Sequence, residues 1–245
     1  MQYEKFASVY DRLMRDVNYE KWGLYLAELI RNRTDGLRIC ECACGTGSVT
    51  VELKKCGFDI TGTDISREML EVASEKARQS GMKIPFVCMD MQNLTLHRPH
   101  DVILSACDGV NYLSSVKVMQ RFFSCAYSNL KLGGLLMFDI STEYKLANVL
   151  GCNTFAEDED DCAYIWKNMY DEKSRLIEMN LTFFVRNKYG YERFTERHVQ
   201  RAHNICEIKD ALQSSGFSKI ELYDAFTHNA PTDDSERIQF VAVRE

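Results

Sequence analysis

Between residues 37 and 140 the apolar pattern switches repeatedly between two periods, and this switching constrains the fold more than any other feature of the chain. Short apolar runs at 37–43, 58–63, 84–89, 101–106 and 135–140 read as strands, and between them the segments 49–56, 66–79 and 116–130 carry apolar residues at helical spacing. Ser66 is a suitable N-cap with Glu68 and Glu71 in the first turns, and Gly133-Gly134 stops the helix before it. Strands alternating with helices imply right-handed crossovers, hence a mostly parallel sheet with helices on both faces. Ligands of such sheets bind beyond the carboxyl ends of the strands.

Two helical patterns precede this core, one through Phe6, Val9, Tyr10, Leu13, Met14 and Val17, the other through Trp22, Leu26, Leu29 and Ile30. After residue 140 the rhythm breaks. A loop carrying the acidic run 157–161 leads into segments 163–167, 175–186 and 192–203, which read as antiparallel strands with a turn at Tyr189-Gly190. A helix at 207–214 and strands at 219–226 and 237–243 complete the pattern. The expected architecture is a single α/β domain, 1–245, with a seven-stranded mostly parallel sheet. An antiparallel β region, 142–205, is inserted before the last helix as a substrate or lid region.

The net charge of −6 gives no general attraction to nucleic acid or an anionic membrane. No apolar run approaches a bilayer span and the opening residues lack the regions of a signal peptide, so a cytoplasmic protein with its ten cysteines free is expected. Cys40, Cys42 and Cys44 alternate along one strand without a C-x-x-C pair, and His97 and His100 have no cysteine partners, so no metal site is expected. The acidic run reads as a solvated loop.

The strongest local signal is Glu41-Cys-Ala-Cys-Gly-Thr-Gly47 at a strand-to-helix junction. Glycines there let the backbone turn tightly and approach a ligand. A lone G-x-G also opens dinucleotide sites, but Thr50 replaces the third glycine of that fingerprint and an acid, Glu41, lies inside the strand. A pyrophosphate would be repelled by that carboxylate, whereas a ligand carrying an ammonium and a sulfonium would not. Asp64, after the second strand, is placed to accept from ribose hydroxyls. Asp90 and Met91, after the third, suit an adenine amino group and ring.

The ordered set E-C-A-C-G-T-G, G-T-D-I-S-R-E-M-L, C-M-D-M, S-A-C-D-G-V-N-Y-L and L-K-L-G-G-L-L resembles the class I S-adenosylmethionine methyltransferases, whose fold is Rossmann-like. The resemblance implies S-adenosyl-L-methionine as cofactor. It places Gly45 and Gly47 beside its methionine part, Asp64 on the ribose, Ile65, Asp90 and Met91 around adenine, and Cys107 beside the sulfonium, with Glu41, Ala43 and Met69 also among the cofactor-binding residues. Glu41 stands where the family usually has aspartate. The opening Y-E-K-F-A-S-V-Y-D and the β insertion are similar to small-molecule N-methyltransferases of the glycine and amino-sugar type, which implies that Tyr10, Tyr19 and Trp22 close over the cofactor. D-A-F-T and S-E-R-I-Q-F-V-A resemble a group of uncharacterised bacterial methyltransferases.

The implied reaction is in-line displacement of the methyl group by a small-molecule nucleophile, an amine nitrogen foremost. Asp108, Asn111 and Tyr112, with Arg201 and His203 from the insertion, are the candidate acceptor-side residues. The catalytic residue itself is left open, as are monomer and homodimer. The rival readings are an RNA or protein methyltransferase, a non-catalytic module that binds the cofactor, and a nicotinamide dehydrogenase. Against nucleic acid, Cys107-Asp-Gly-Val-Asn stands where base-amino methyltransferases carry D/N-P-P-Y/F, and Cys107 follows alanine rather than proline.

Overall fold

The structure, a computed structural model, describes residues 6–245, so the first part of the opening motif, Tyr3-Glu-Lys5, lies outside the described residues. Five parallel strands form the core: β1 (Arg38–Cys42), β2 (Asp59–Asp64), β3 (Phe86–Cys88), β4 (His100–Ser105) and β5 (Leu130–Ser141). Two further strands, β10 (Lys219–Asp224) and β11 (Arg237–Val243), extend them to a seven-stranded sheet of order β10-β11-β5-β4-β1-β2-β3. β11 runs antiparallel to both of its neighbours.

The two-residue period of the strands divides the interior into two cores. Cys40, Cys42, Leu136, Phe138 and Ile140 face one side, under Phe122 and Phe123 of α5 (Val116–Asn129) and Ile208 and Leu212 of α6 (Ile205–Ser214). Ile39, Leu135 and Met137 face the other, under Leu26, Leu29 and Ile30 of α2 (Tyr19–Arg31) and Leu53 of α3 (Ser48–Lys55). The cysteines of β1 are thus buried strand residues. Across β5 and β11 the rings of Phe138 and Phe240 stack 4.9 Å apart.

Local chemistry sets the element ends. Ser66 accepts from the Met69 N–H at 3.2 Å and caps α4 (Arg67–Gln79), while Asn204 and Glu207 form a capping box on α6. β3 begins just past Pro85, which has no N–H to donate, and is shorter than its apolar run. Gly133, at φ 75°, lies inside β5 rather than ending α5, which stops at Asn129.

The insertion is a second, antiparallel sheet of β6 (Thr154–Asp158), β7 (Cys162–Asp171), β8 (Leu176–Asn187) and β9 (Gly190–Arg201). The hairpin turn falls on Lys188 and Tyr189, with Asn187 accepting from the Tyr189 N–H at 2.8 Å, and Gly190 already pairs with Asn187. In the acidic run Asp158, Asp160 and Asp161 are exposed, as a solvated segment should be, but its two glutamates are paired. Glu157 belongs to β6, and Glu157 and Glu159 pair with Arg15 and Arg12, the latter in α1 (Ala7–Leu13). A third core joins α1 to this sheet through Phe6, Ala7, Val9, Ile177, Met179 and Phe183. Among the described residues no helix is long and apolar enough to cross a membrane.

Candidate active site

A cavity of about 580 Å³ lies beyond the carboxyl ends of β1, β2 and β4, between the large sheet, α1 and the inner face of β7–β9. Its floor is the loop after β1. The Cys44 N–H donates to the Thr63 carbonyl at 3.0 Å, which ties the loop to β2. Gly45 (φ 54°) borders the cavity, and a Cβ there would meet no protein atom within 4 Å, so the space beside it is open to a ligand. Its N–H donates to Asp64 Oδ2 at 2.8 Å, and the Ser66 N–H donates to Oδ1 at 2.9 Å. Burial pushes the Asp64 carboxyl up against the pull of these N–H groups. Asp90 accepts from the Gln92 N–H at 2.9 Å and caps a short helical turn that carries Met91.

Glu41 is buried beneath this loop and faces the cavity, with the Thr50 hydroxyl donating to its Oε2. Burial pushes its carboxyl up to about 8; Thr50 opposes the shift, and the charges of Asp64 and Asp139 add to it.

At the other end of the cavity Cys107 and Asp108 hold left-handed backbone, φ 57° and 51°. For side chains larger than glycine this conformation persists only when the surroundings hold it. Three contacts do so. The Asp108 N–H donates to Asp139 Oδ2 at 3.0 Å, Arg237 donates to Asp108 Oδ1 at 2.7 Å, and Gln200 Nε2 donates to Oδ2 at 2.7 Å. Arg237 also pairs with Asp139. Burial would push the Asp108 carboxyl up, but Arg237 and Gln200 hold it below its ordinary range. His198 faces the same space 3.3 Å from the Tyr112 hydroxyl, and burial pushes its imidazole down to about 4.

Residues 39–134 match the "Methyltransferase domain" family. A Bacillus subtilis (strain 168) protein named "Putative methyltransferase YqeM" is 34% identical over 243 residues, 99% of this chain and 97% of the relative. The crystal structure of a S-adenosylmethionine-dependent methyltransferase from Clostridium acetobutylicum ATCC 824 is 33% identical, covers 98% of each chain and superposes with a TM-score of 0.89. The chain belongs to the class I S-adenosylmethionine-dependent methyltransferases. The sugar N-methyltransferase KedS8 from Streptoalloteichus sp. ATCC 53650 shares the fold at 18% identity, with 97% and 93% of the two chains covered and a TM-score of 0.78.

The walls of the methyltransferase cavity suit S-adenosylmethionine. A buried carboxylate with one hydroxyl donor, Glu41, gains from an entering cation, and the space beside Gly45 admits a ligand against the backbone. Of the residues singled out in the sequence, the structure brings Tyr10, Tyr19, Glu41, Ala43, Gly45, Asp64, Ile65, Met69, Asp90, Met91 and Cys107 to the cavity wall, together with Asp108 and Tyr112.

The other five are not among the residues of the cavity wall. Trp22 lies behind the wall, its ring 5.1 Å from the Arg237 guanidinium and 5.0 Å from the Phe226 ring. Gly47 (φ 72°) supplies the left-handed residue before α3, where a Cβ would meet Ala73 at 3.0 Å and the Phe86 ring at 3.2 Å, so it faces α4 and β3. Asn111 is fully buried and staples three backbone groups, donating to the Ser141 and Arg201 carbonyls and accepting from the Ser141 N–H. His203 is turned to the Leu113 carbonyl at 2.9 Å, with burial pushing its imidazole down to about 4. Arg201 reaches Glu207 at 3.4 Å. Unforeseen wall residues are Lys145, His198, Gln200 and Arg237, with Tyr164 and Trp166.

Proposed function

We propose that this methyltransferase moves the methyl group to a nitrogen of a small-molecule amine. The observation that carries this reading is that the acceptor-side carboxylate and imidazole are both poor bases. Asp108 is bound to Arg237 and Gln200, and His198 is held neutral with an imidazole near 4. A hydroxyl acceptor needs a base to take its proton in the transition state, whereas a neutral amine attacks with its own lone pair. The shape agrees: one cavity of about 580 Å³, walled by the insertion, must hold donor and acceptor together, which suits a small ligand rather than a polymer. The sugar N-methyltransferase KedS8 has the same fold, which accords with this reading.

Bound in the cavity, S-adenosylmethionine supplies an activated methyl group. The chain's task is then to bind, orient and exclude water. In this reading Asp64 accepts from the ribose hydroxyls, Glu41 faces the ammonium of the methionine part, and Asp90 and Met91 hold adenine. Tyr10 and Tyr19 close over the donor and the Cys107-Asp108 loop supports the reacting end. Alignment of two reactants in such a site is worth about 7–11 kcal/mol in favourable cases.

The experiment is a panel of matched small amines and alcohols incubated with enzyme and methyl-labelled cofactor. Labelled amines with unlabelled alcohols are expected. Labelled alcohols with unlabelled amines would overturn the assignment.

A pH prediction follows from Glu41. Its carboxyl is raised above the ordinary value of 4.5 to about 8, so the stability it contributes is full below 4.5 and is lost as pH rises through 8. Glu41→Gln removes that loss. Its stability should match wild type near pH ~5, exceed it progressively toward pH ~8 and then level off, by a few kcal/mol in all, and its melting temperature should follow. Cofactor affinity of wild type should rise up to tenfold per pH unit over the upper part of the same window, roughly, because the bound cation favours the ionised carboxylate. The glutamine variant should lose that dependence. Equal melting temperatures at all pH values would contradict the buried-acid reading.

A further inference from the structure

We propose that Lys145 anchors an anionic group of the methyl acceptor, a carboxylate or a phosphate, so that the amine modified by this enzyme carries an acid group in the same small molecule. The inference rests on the small-amine reading and adds a recognition element to it. Lys145 opens a π-helical turn, Lys145–Leu150, directly after β5, and the Thr142 hydroxyl accepts from its N–H at 3.2 Å. Turns of this type are rare and recur at functional sites. Here the turn follows Ser141, itself a wall residue, and sets the Lys145 side chain in the cavity wall on the acceptor side.

The wall's cations differ in their commitments. Arg237 is consumed by Asp108 and Asp139. Lys145 is mostly buried, and its ion pair with Glu236 is 3.9 Å long, beyond hydrogen-bonding distance, to a carboxylate whose side chain is 55% exposed. Burial and the neighbouring Arg237 push the Lys145 ammonium down, with Asp108, Glu236 and Asp139 pulling the other way. The insertion adds no carboxylate to the wall: it contributes Tyr164, Trp166, Met179, Leu181, His198 and Gln200. The acids Glu41, Asp64 and Asp90 stand at the cofactor end; at the other end the wall's one acid, Asp108, is taken up by Arg237 and Gln200, which leaves Lys145 there as a loosely paired ammonium. Any acceptor that fills the space strips water from Lys145. A neutral acceptor leaves the ammonium desolvated at a cost, and an anion replaces the lost water with charge-assisted hydrogen bonds.

The test uses the full chain saturated with S-adenosylhomocysteine, titrated at constant ionic strength with acetate and, separately, inorganic phosphate while thermal unfolding is followed. In parallel, acid-bearing amines and their neutral counterparts (amino acids beside their amides, amino-sugar phosphates beside the parent amino sugars) are offered with methyl-labelled cofactor. Wild type, Lys145→Met and Lys145→Arg are compared, with S-adenosylhomocysteine affinity as the folding control. One anion is expected to stabilise wild type saturably, weakly the arginine variant and not the methionine variant, and which anion does so identifies the group. For acid-bearing amines kcat/KM should fall roughly 10- to 100-fold in Lys145→Met, with neutral amines changed less than about twofold. If neither anion distinguishes wild type from Lys145→Met and amides are methylated as well as acids, the anchor is refuted while amine transfer stands. A Lys145-dependent anion response with no amine labelled would keep the anchor and refute the amine.

Discussion

Asp64→Ala should weaken S-adenosylmethionine and S-adenosylhomocysteine binding on the order of 100-fold or more, the expected loss of two hydrogen bonds to a charged acceptor. Two effects combine. The carboxylate lines the cavity at the end of β2, and it also accepts from the Gly45 and Ser66 N–H groups that shape the glycine loop and the start of α4. In the proposed binding mode alanine removes the acceptor of the ribose hydroxyls, and it leaves both N–H groups without theirs. Asp64→Asn keeps the volume and one acceptor, so it should fall between. Calorimetric titration measures both, with unfolding curves to separate lost binding from lost fold. Affinity of the alanine variant within about threefold of wild type would remove Asp64 from the binding site.

Arg237→Ala should produce the largest loss of stability, about 3–5 kcal/mol, because it abandons two buried carboxylates. Asp108 and Asp139 both pair with Arg237, whose side chain is 16% exposed and lies over the Trp22 ring. The same change frees the left-handed Cys107-Asp108 loop, so methyl transfer should fall even where the protein remains folded. Adding Asp139→Asn to Arg237→Ala removes one orphaned charge and should recover part of the stability, since the sites share a partner. Denaturant midpoints of the two single variants and the double variant test this. A loss below about 1 kcal/mol for Arg237→Ala would mean that the network holds nothing together.

The parallel core was legible because its strands are apolar throughout and its helices amphipathic, and because the loops at their carboxyl ends hold short-range motifs. Glu41, Gly45, Asp64 and Asp90 sit within a few residues of a strand end, where local spacing alone places them at the cavity. The acceptor end was less legible, since its residues meet only through tertiary contacts. Gln200 reaches Asp108 across 92 positions and Arg237 across 129, so neither is visible in any sequence window. One signal was available: Arg237 opens the mostly apolar strand Arg237–Val243 at its end nearest the site. Asn111 and His203 stand away from the cavity wall for a reason that is equally invisible in a sequence window. Polar residues near a ligand loop read as chemistry, yet both are spent on backbone groups of distant segments. The pairing of Glu157 and Glu159 in the acidic run was hidden because their partners, Arg12 and Arg15, lie more than 140 positions earlier. The π-helical turn at Lys145 has no sequence signature comparable to a cap or a glycine.

The measurement that bears most directly on the central claim is the fate of the methyl label. Purified enzyme is given methyl-labelled S-adenosylmethionine and an extract containing metabolites, RNA and protein, and the three fractions are separated and counted. The label should appear in the small-molecule fraction on an amine, depend on the enzyme and vanish with Asp64→Ala. Label found only in RNA or protein, or equal transfer by wild type and Asp64→Ala, would contradict the account.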